Sequence, residues 1–411
     1  MYDAIVIGAR CAGAATAMLL ARRGRRVLLV DRAAFPSDTL STHLLHPRGG
    51  AKLAGWGLLD RLRATGVPPI PAVTFDIGGT SVTGAAEPVD GVVEWLCPRR
   101  TVLDHLLVEA AAEAGCEVRE QTSLHRLVWD DDRVAGVRLR DRSGHVVEER
   151  SAIVVGADGM RSTVARQVGA TTYNEHPSQI GTFYTYWSGV GITNAEFHVR
   201  RGRHILAFPT HDGLTCIFVA RPAHEFPAYR ADVEGTYLRT LELAPDLASR
   251  VGRGNRAAPF RGTNVLPNYY RKPHGPGWAL VGDAGHHKDP TTGMGMSDAF
   301  RDADLLAGAI DDGLAGRADP AAALAAYEQE RNRQSEHIYG WTLFAAALPD
   351  PAPLAPYLHA IAADPVERTR FLSVVAGTVP YGEVFDHGRQ ARVLAAANGS
   401  PPTSGAVRSA S

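Results

Sequence analysis

Residues 1–31 decide the fold, and they read MYDAIVIGARCAGAATAMLLARRGRRVLLVD. The apolar run 4–7 predicts a buried strand, and the glycine-containing turn 8–13 leads into an alanine-rich helix. A second apolar run, 27–30, ends in an aspartate. This order of strand, glycine turn, helix and strand predicts a βαβ unit, and with it an α/β fold built on a parallel sheet.

Three residues of this unit stand where a dinucleotide site needs them. Gly8 permits the tight turn, and Gly13 lets the helix pack close to the strand. Asp31 follows Gly13 by 18 residues (31 − 13), near the spacing of about 20 for the acidic residue that binds a ribose hydroxyl. Arg10 replaces the middle glycine of the fingerprint, so we expect its side chain either to keep the backbone further from the phosphates or to turn outward and contact them. The alternative is a βαβ unit without a ligand.

Length and composition exclude several classes of protein. The chain has 411 residues, which predicts two domains or one elaborated domain, and its formal net charge of −1 argues against nucleic acid or an anionic membrane as a partner. The four cysteines are too scattered for a disulfide framework or a zinc site, so we expect no metal and mostly buried, reduced thiols. No apolar stretch reaches the length of a membrane span, and we predict a cytoplasmic protein.

The rest of the chain alternates β-rich and helical stretches. Short β runs occupy 73–96 and 179–260, and three or four strands are predicted within 118–154. The composition of residues 396–411 predicts a disordered tail. Helices are predicted at 47–64 with a glycine break, 100–114, 229–242, 297–308 and 321–333.

Two further glycine turns follow buried strands. Residues 156–159 read Gly-Ala-Asp-Gly and precede a short helix that Ser162 caps. Residues 282–284 read Gly-Asp-Ala and lead through a glycine-rich loop into another helix. Together with the opening unit, these segments resemble the FAD-dependent class A monooxygenases of the p-hydroxybenzoate hydroxylase superfamily. The same fold serves flavin-dependent halogenases and geranylgeranyl reductases.

The resemblance implies a cofactor and the residues that hold it. It assigns Asp31 to the adenosine ribose, Asp158 to FAD and NAD(P)H, and Asp283 to the ribityl hydroxyls. The alternatives are a turn residue for Asp158, a helix cap for Asp283 and a salt-bridged helix start for Arg100. The full set of implied FAD-binding residues is Gly8, Arg10, Cys11, Ala12, Gly13, Asp31, Arg32, Arg100, Asp158, Gly282, Asp283, Pro290, Gly293, Met294, Gly295 and Met296.

The resemblance also implies a division of the chain. A discontinuous Rossmann-like FAD-binding domain would comprise 1–72, 97–175 and 270–335. An inserted antiparallel β-sheet substrate domain would comprise 73–96 and 176–269, and C-terminal helices would follow at 336–395.

The activity implied is monooxygenation of an aromatic or polycyclic small molecule. In the class A scheme NADPH or NADH reduces FAD, O₂ adds to give a C4a-hydroperoxide, and one oxygen atom passes to the substrate. We expect the substrate to lie between the glycine-rich loop and the second β layer. Candidate wall residues are Tyr184, Tyr186, Trp187 and Phe208. Tyr184 and Tyr186 share a face of their strand while Trp187 points oppositely, so not all of them can line one pocket.

No general base is identifiable from the sequence. Histidine has the pKa that such a role needs, and His286 and His287 lie nearest the glycine-rich loop. The candidates for catalysis are His43, His286, His287 and Pro290, with His46 and His204 as further histidines.

Two other activities share the FAD domain. The halogenase family carries Trp-x-Trp-x-Ile-Pro and a lysine near the flavin, and residues 186–190 (Tyr-Trp-Ser-Gly-Val) do not fit that pattern. A reductase that transfers hydride to an isolated alkene requires no diagnostic residue. A flavin-binding protein without enzymatic activity is the third alternative.

Overall fold

The computed structural model of the chain describes residues 1–397. The strands are β1 (Tyr2–Ile7), β2 (Val27–Val30), β3 (Val73–Asp76), β4 (Ser81–Gly84), β5 (Glu117–Arg119), β6 (Ser123–Asp130), β7 (Arg133–Arg140), β8 (Val146–Gly156), β9 (Thr172–His176), β10 (Ile180–Ser188), β11 (Ala195–Arg200), β12 (Arg203–Pro209), β13 (Leu214–Pro222), β14 (Asn255–Arg256), β15 (Arg261–Thr263), β16 (Asn268–Arg271), β17 (His274–Gly275), β18 (Trp278–Leu280) and β19 (His286–His287). The helices are α1 (Cys11–Ala21), α2 (Pro47–Gly55), α3 (Leu59–Ala64), α4 (Arg100–Glu113), α5 (Thr163–Gln167), α6 (Phe226–Ala231), α7 (Val233–Leu241), α8 (Pro245–Gly252), α9 (Gly295–Leu314), α10 (Pro320–Ala346), α11 (Ala355–Ala363), α12 (Pro365–Val375), α13 (Gly382–Phe385) and α14 (His387–Ala397).

A mainly parallel sheet forms the centre of the fold. Its strands lie in the order β17-β18-β8-β1-β2-β5, and β1 runs parallel to both β2 and β8. Ala4 and Val6 belong to the core that contains α1 and α9, whereas Ile5 and Ile7 belong to the core under β6 and β7. Because both faces of the strand are covered, its residues form a continuous apolar run. The predicted Rossmann-like α/β architecture is confirmed.

The alanine-rich helix α1 is the most enclosed element of this half. Every one of its residues is buried, and it packs against α4 and α9 as well as against the sheet. Small side chains on all sides permit this close packing, since a long side chain would hold the neighbouring helices away. The helix therefore starts from a fixed position at the end of β1.

A second, mainly antiparallel sheet forms the other layer. Its order is β14-β10-β13-β12-β11-β3-β4, with β15 also paired to β10. Along β10, Tyr184 and Tyr186 belong to one apolar cluster, and Phe183 and Trp187 belong to the cluster on the opposite face. This alternation is the two-residue period of a strand.

The C-terminal helices lie beside the two sheets. Helix α10 packs along α9, and α11 and α12 pack against β4. A small sheet in the order β19-β16-β9 lies near α10. Helix α10 is continuous through residue 335, where the sequence analysis places a domain boundary. The domain limits themselves stay a prediction.

Several predicted elements differ from those observed. Residues 92–96 form isolated bridges with different partners rather than a strand: Val92 pairs with Val89 across the turn at 90–91, Trp95 pairs with Ile70, and Leu96 pairs with Leu45. The helix predicted at 229–242 is divided into α6 and α7. Asp232 separates them with non-helical φ and ψ of −140° and 75°, and its carboxylate accepts the Gly235 N–H to begin α7.

The two long helices extend beyond their predicted limits. Helix α9 begins two residues earlier than predicted and ends at Leu314, and α10 continues to Ala346. The tail predicted from residue 396 begins too early, since α14 includes Ala397; residues 398–411 lie outside the described part of the chain. Within residues 1–397, no helix combines the length and apolarity that crossing a membrane requires.

We expect Gly13→Ala to destabilise the protein. An added Cβ would lie 1.8 Å from the Gly8 carbonyl oxygen and 2.9 Å from Ala157 Cβ, and overpacking of this kind costs about 1–3 kcal/mol. The measurement is urea-induced unfolding followed by circular dichroism. Gly308→Ala is the matched control, because this α9 glycine has no atom within 4 Å of an added Cβ. The control should gain about 0.5–1 kcal/mol, and equal stability of the two variants would contradict the argument.

Candidate active site

A cavity of about 790 Å³ lies at the carboxyl ends of the parallel strands. This is where open α/β sheets bind their ligands. Tyr184 of β10 and Phe218 of β13 also line the cavity, so it extends from the parallel sheet to the second sheet. The residues contributed by the ends of β1, β2, β8 and β18 are Ile7, Gly8, Val30, Asp31, Ala157 and Gly282.

The first glycine turn opens the N-terminus of α1 to this cavity. Gly8 has φ of +104°, and a Cβ there would lie 2.4 Å from the Ala157 carbonyl oxygen. Cys11 and Ala12, the first residues of α1, line the cavity. Gly13 does not line it and acts through the close packing described above. The free N–H groups and dipole of α1 thus face the cavity, where a diphosphate is favoured.

Asp31 connects two loops at the edge of the cavity. Its Oδ2 accepts the Ala9 N–H at 2.7 Å, and its Oδ1 accepts the Ala33 N–H at 2.8 Å. A carboxylate has further lone pairs, so it can still accept ribose hydroxyls. The neighbouring Arg32 also lines the cavity, with an exposed side chain.

Arg10, at the position of the missing glycine, directs its guanidinium into the protein. Its Nη1 donates to Asp104 Oδ2 at 2.7 Å, and its Nη2 donates to Ser37 Oγ at 3.0 Å. The guanidinium also lies over the Phe35 ring at 5.6 Å. These contacts attach the loop after β2 to α4. Arg10 also lines the cavity, and a contact with a phosphate stays a prediction.

The sequence analysis missed Asp104, the residue that gathers these contacts. Its side chain is fully buried and accepts from Arg10, from the Cys11 thiol at 3.3 Å and from Arg100 at 2.9 Å. The signal was the i,i+4 spacing of Arg100 and Asp104 on one helix face. Arg100 lines the cavity, and it also forms a salt bridge with Asp104 at the start of α4. Its observed contacts are therefore those of the alternative, a salt-bridged helix start.

Asp158 holds the beginning of α5. Its carboxylate accepts the Ser162 hydroxyl and the N–H groups of Thr163 at 2.6 Å and Val164 at 3.3 Å. Ser162 in turn caps the helix by accepting the Ala165 N–H, as predicted. Asp158 also lines the cavity. Its observed contacts are those of a turn residue, and a contact with FAD stays a prediction.

Asp283 presents a carboxylate to the cavity. It lies in a short 3-10 turn after β18, and its side chain makes no hydrogen bond with the described residues, while its main-chain oxygen accepts the Tyr269 hydroxyl at 2.7 Å. Gly282 has φ of +59°, and a Cβ there would lie 2.7 Å from Ala12 Cβ. This close approach sets the free carboxylate beside the N-terminus of α1.

The glycine-rich loop completes the wall of the cavity. Pro290 begins a 3-10 turn that Asp289 caps by accepting the Thr291 N–H at 2.9 Å. Gly293 follows with φ of +68°. Gly295, the first residue of α9, lines the cavity together with Met296, so a second helix N-terminus faces it.

The loop is supported from behind by the C-terminal helices. Met294 does not line the cavity and is buried. A Cβ added at Gly377, just after α12, would lie 2.7 Å from Met294 Cε and 2.8 Å from Ile338 Cδ1. Arg48 of α2 donates to the Gly377 carbonyl at 3.2 Å. The position of the loop therefore depends on residues far along the chain.

Of the candidate histidines, His287 lines the cavity. Its Nδ1 hydrogen-bonds the Pro267 carbonyl oxygen. A carbonyl only accepts, so Nδ1 carries the proton in the neutral ring and Nε2 is free to accept one. His286 points the other way and stacks on Tyr270 at 4.3 Å, where burial holds its pKa well below 6.5.

The other histidines are buried away from the cavity wall. His43 hydrogen-bonds the Tyr186 hydroxyl, and burial, with Arg100 and Arg99 nearby, holds its pKa well below 6.5. Burial lowers the pKa of His46 to about 3 and that of His204 to about 4. These three rings are therefore neutral at pH 7.

The predicted aromatic wall is only partly correct. Tyr184 lines the cavity, and Tyr186 lies beside it with Arg99 over its ring at 4.1 Å. Trp187 points to the opposite face of β10, and Phe208 packs on Phe197 at 5.7 Å within the core. Neither side chain reaches the cavity. Strand alternation places Trp187 on the other face of the sheet, and it does not determine how far from the cavity a residue such as Phe208 lies along its own strand. The wall residues that the sequence analysis missed are Thr182, Phe218 and Leu266.

The residues present fit an adenine dinucleotide with a flavin. Two helix N-termini face the cavity, one for a diphosphate and one for negative charge on the ring system. Two carboxylates, Asp31 and Asp283, stand at separate points for hydroxyl groups. The Asp283 carboxylate is exposed to the cavity and has no hydrogen-bond partner among residues 1–397, so it can accept hydroxyl groups of such a ligand.

We expect Asp283→Ala to lose FAD on purification. Hydrogen bonds to a charged group contribute about 1.5–3 kcal/mol, so FAD should bind at least about tenfold more weakly. The measurement is the FAD content per chain and its dissociation constant by flavin fluorescence. The control is Asp304→Ala on α9, which removes a partly exposed carboxylate that pairs with Lys52 of α2. This variant should keep its full FAD content. An Asp283→Ala protein that stays fully yellow would show that this carboxylate does not hold FAD.

Comparison with known proteins identifies the family. A family model described as "FAD binding domain" matches residues 1–342. Kynurenine 3-monooxygenase from Salinispora arenicola is 31% identical over 376 residues, covering 81% of this chain and 76% of that protein. Digeranylgeranylglycerophospholipid reductase from Methanosarcina mazei is 30% identical over 318 residues, covering 75% and 74%.

Solved structures agree on the fold. The flavin-dependent brominase Bmp2 superposes with a TM-score of 0.81 over 97% of this chain and 98% of its own, at 20% identity. At that identity the likeness concerns the fold alone. The family match and the curated relatives confirm the predicted resemblance, and the matched FAD binding domain supports FAD as the cofactor. The chain is an FAD-dependent oxidoreductase that belongs to the FAD-binding-domain family, within the superfamily of FAD-dependent monooxygenases.

Proposed function

We propose that this protein is a monooxygenase that uses NADPH or NADH and O₂ to hydroxylate or epoxidise an aromatic or polycyclic small molecule. The observation that carries the proposal is the continuity of the cavity. It extends from Asp31 at the dinucleotide end to Tyr184 and Phe218 on the second sheet. A substrate can therefore lie beside the glycine-rich loop, within reach of the same cofactor.

The residues divide the work of holding the cofactor. When bound, FAD supplies the electron transfer from NAD(P)H and the activation of O₂. The N–H groups of α1 hold the diphosphate, and Asp31 and Asp283 accept hydroxyl groups. The N-terminus of α9 favours negative charge on the ring system. The buried glycine-rich loop and its supporting helices exclude water from this end of the cavity.

The substrate end of the cavity favours a neutral, mostly apolar molecule. Aromatic and aliphatic side chains provide its surface, and threonine hydroxyls provide a few hydrogen-bonding groups. Such a combination is typical of small-molecule sites, where apolar contacts bind and few polar groups orient. The residues concerned are Leu44, Thr182, Tyr184, Phe218, Thr263, Val265 and Leu266.

His287 is the proton acceptor that we propose for a phenolic or anilinic substrate. Its Nδ1–H is committed to the Pro267 carbonyl, so Nε2 is the nitrogen that accepts a proton. The ring stacks on that of Tyr269, with the ring centroids 5.7 Å apart and the planes inclined by 27°, and this contact helps to fix its orientation. Pro290, three residues further, shapes the adjoining wall and carries no proton.

A reductase is the second candidate, and the 30% identity to an archaeal lipid reductase favours it. In that case the reduced cofactor would pass hydride to an isolated alkene, and O₂ would take no part. The same cavity would then hold an isoprenoid chain instead of a planar ring. The two activities differ in their need for oxygen and are separated by one experiment.

The experiment follows NADPH and NADH oxidation by the FAD-loaded protein with a panel of phenols, anilines, polycyclic aromatics and isoprenoids. We expect an aromatic compound to stimulate both NAD(P)H oxidation and O₂ uptake, with one oxygen atom from ¹⁸O₂ found in the product. Product formation under argon would overturn the proposal in favour of the reductase. Turnover that requires bromide or chloride would favour a halogenase.

We expect Tyr184→Ala to weaken binding of the stimulating aromatic compound about tenfold, because it removes an aromatic contact worth about 0.5–1.5 kcal/mol beyond its buried area. The measurement is the concentration of that compound giving half-maximal NAD(P)H oxidation, at unchanged FAD content. Trp187→Phe is the control, since Trp187 packs on the opposite face of β10. Equal effects of the two substitutions would place the substrate elsewhere.

A further inference from the structure

One charged side chain at the cavity wall is unaccounted for by the proposed function. Lys288 follows β19 and lines the cavity, with only 4% of its side chain exposed. Its ammonium group is ion-paired with Asp298 in the first turn of α9. The chain contains only two other lysines, and Lys52 and Lys272 are on the surface with side chains 38% and 45% exposed.

Lys288 is part of a buried cluster of charges. Arg301 donates to Asp298 at 2.8 Å and to Asp302 at 2.6 Å. The Arg48 Nη2 atom lies 3.7 Å from Asp298 Oδ1, the oxygen to which Arg301 donates. Asp298 is thus shared by three cations, and Asp302 has one buried oxygen without a hydrogen bond in the described chain.

The cluster holds one positive charge in excess. Three cations (Lys288, Arg48 and Arg301) face two carboxylates (Asp298 and Asp302). Asp289, next to Lys288 in sequence, hydrogen-bonds Thr291 and takes part in none of the ion pairs observed within residues 1–397. A buried unbalanced charge is costly. The Asp283 carboxylate at the cavity offsets part of this excess, and loss of the Lys288 proton or an anion in the cavity would offset the remainder.

The environment of Lys288 favours loss of its proton near neutral pH. Burial, with Arg301 and Arg48 nearby, lowers the pKa of Lys288 to about 7, although Asp302 and Asp283 act in the opposite direction. Other titratable groups around the cluster keep one charge state above pH 7. Burial lowers the pKa values of the histidines His46, His286 and His337. It raises the pKa values of the tyrosines Tyr270 and Tyr327, and it raises the pKa of Asp289 to about 6.

We propose that Lys288 is the counter-charge of the reduced flavin and that it sets the reduction potential of bound FAD. Hydride transfer from NAD(P)H brings two electrons and one proton to the ring system and leaves NAD(P)⁺. The reduced ring then carries one negative charge, which matches the excess positive charge of the cluster. The inference rests on FAD binding and on its place in the proposed function, but not on the identity of the substrate.

The proposal fixes the direction of a pH effect. Reduction makes the cavity more negative, so Lys288 holds its proton more tightly beside reduced FAD than beside oxidised FAD. Below about pH 7 the lysine is charged in both states and the potential is raised. Above the pKa of the reduced state it is neutral in both states and the effect disappears. Between these limits reduction takes up one additional proton, and the potential falls more steeply with pH.

The experiment measures the midpoint potential of the FAD-loaded protein from pH 6.5 to 9 against reference dyes. We expect Lys288→Met to lower the equilibrium constant for reduction about tenfold at pH 6.5, which is about 30 mV for a two-electron couple. The difference should vanish toward pH 9. Lys288→Arg should keep the high potential at every pH, and Lys52→Met should match the unsubstituted protein. Equal potentials for Lys288→Met and the unsubstituted protein at pH 6.5 would overturn the proposal.

A second measurement covers the case in which Lys288→Met does not retain FAD. With ¹³C-labelled lysine, the three lysine Cε signals are titrated by NMR in oxidised and in dithionite-reduced protein. The proposal requires one signal to titrate near pH 7 in the oxidised state and at least about one unit higher in the reduced state. An unchanged titration would overturn it. A potential shift together with oxygen-independent turnover would keep this inference and overturn the monooxygenase proposal.

Discussion

The contact between α1 and the ends of β1 and β8 determines where everything else in the site can lie. Without side chains at Gly8 and Gly13, the helix starts against the Ala157 backbone, and its N-terminus opens directly at the sheet edge. Gly282 then brings the turn after β18 against Ala12 from the other side. The backbone segments that follow β1, β8 and β18, which are far apart in the chain, are thus in direct contact. The carboxylates of Asp31 and Asp283 are positioned at the cavity by this convergence.

The parts of this arrangement that depend on short-range patterns could be predicted from the sequence. The βαβ unit, the glycine turns and the spacing of Asp31 each follow from residues close together in the chain. They were sufficient for the fold class and for a dinucleotide site, whereas FAD as the cofactor came from the resemblance of three segments to a known family. Burial on both faces of β1 is also readable as a continuous apolar run. Helix ends were less predictable, because α10 continues where packing against α9 and the small sheet favours it.

Features that depend on residues far apart could not be predicted. Asp104 collects Arg10, Arg100 and Cys11, and two of these partners are more than ninety residues away. The two-residue period of β10 separates Trp187 from Tyr184, but no local pattern shows which face meets the cavity. Lys288 is similar, since its electrostatic environment is set by Arg48 and Asp298 on two other elements.

The support behind the glycine-rich loop has a consequence for substitutions in the C-terminal helices. Gly377 and the helices around it contact Met294 from a region that lies beyond the matched family residues 1–342. The region that the family model matches lines the cavity, whereas Gly377 beyond it contacts the glycine-rich loop from behind. A substitution in the C-terminal helices could therefore move this loop without altering any residue that lines the cavity.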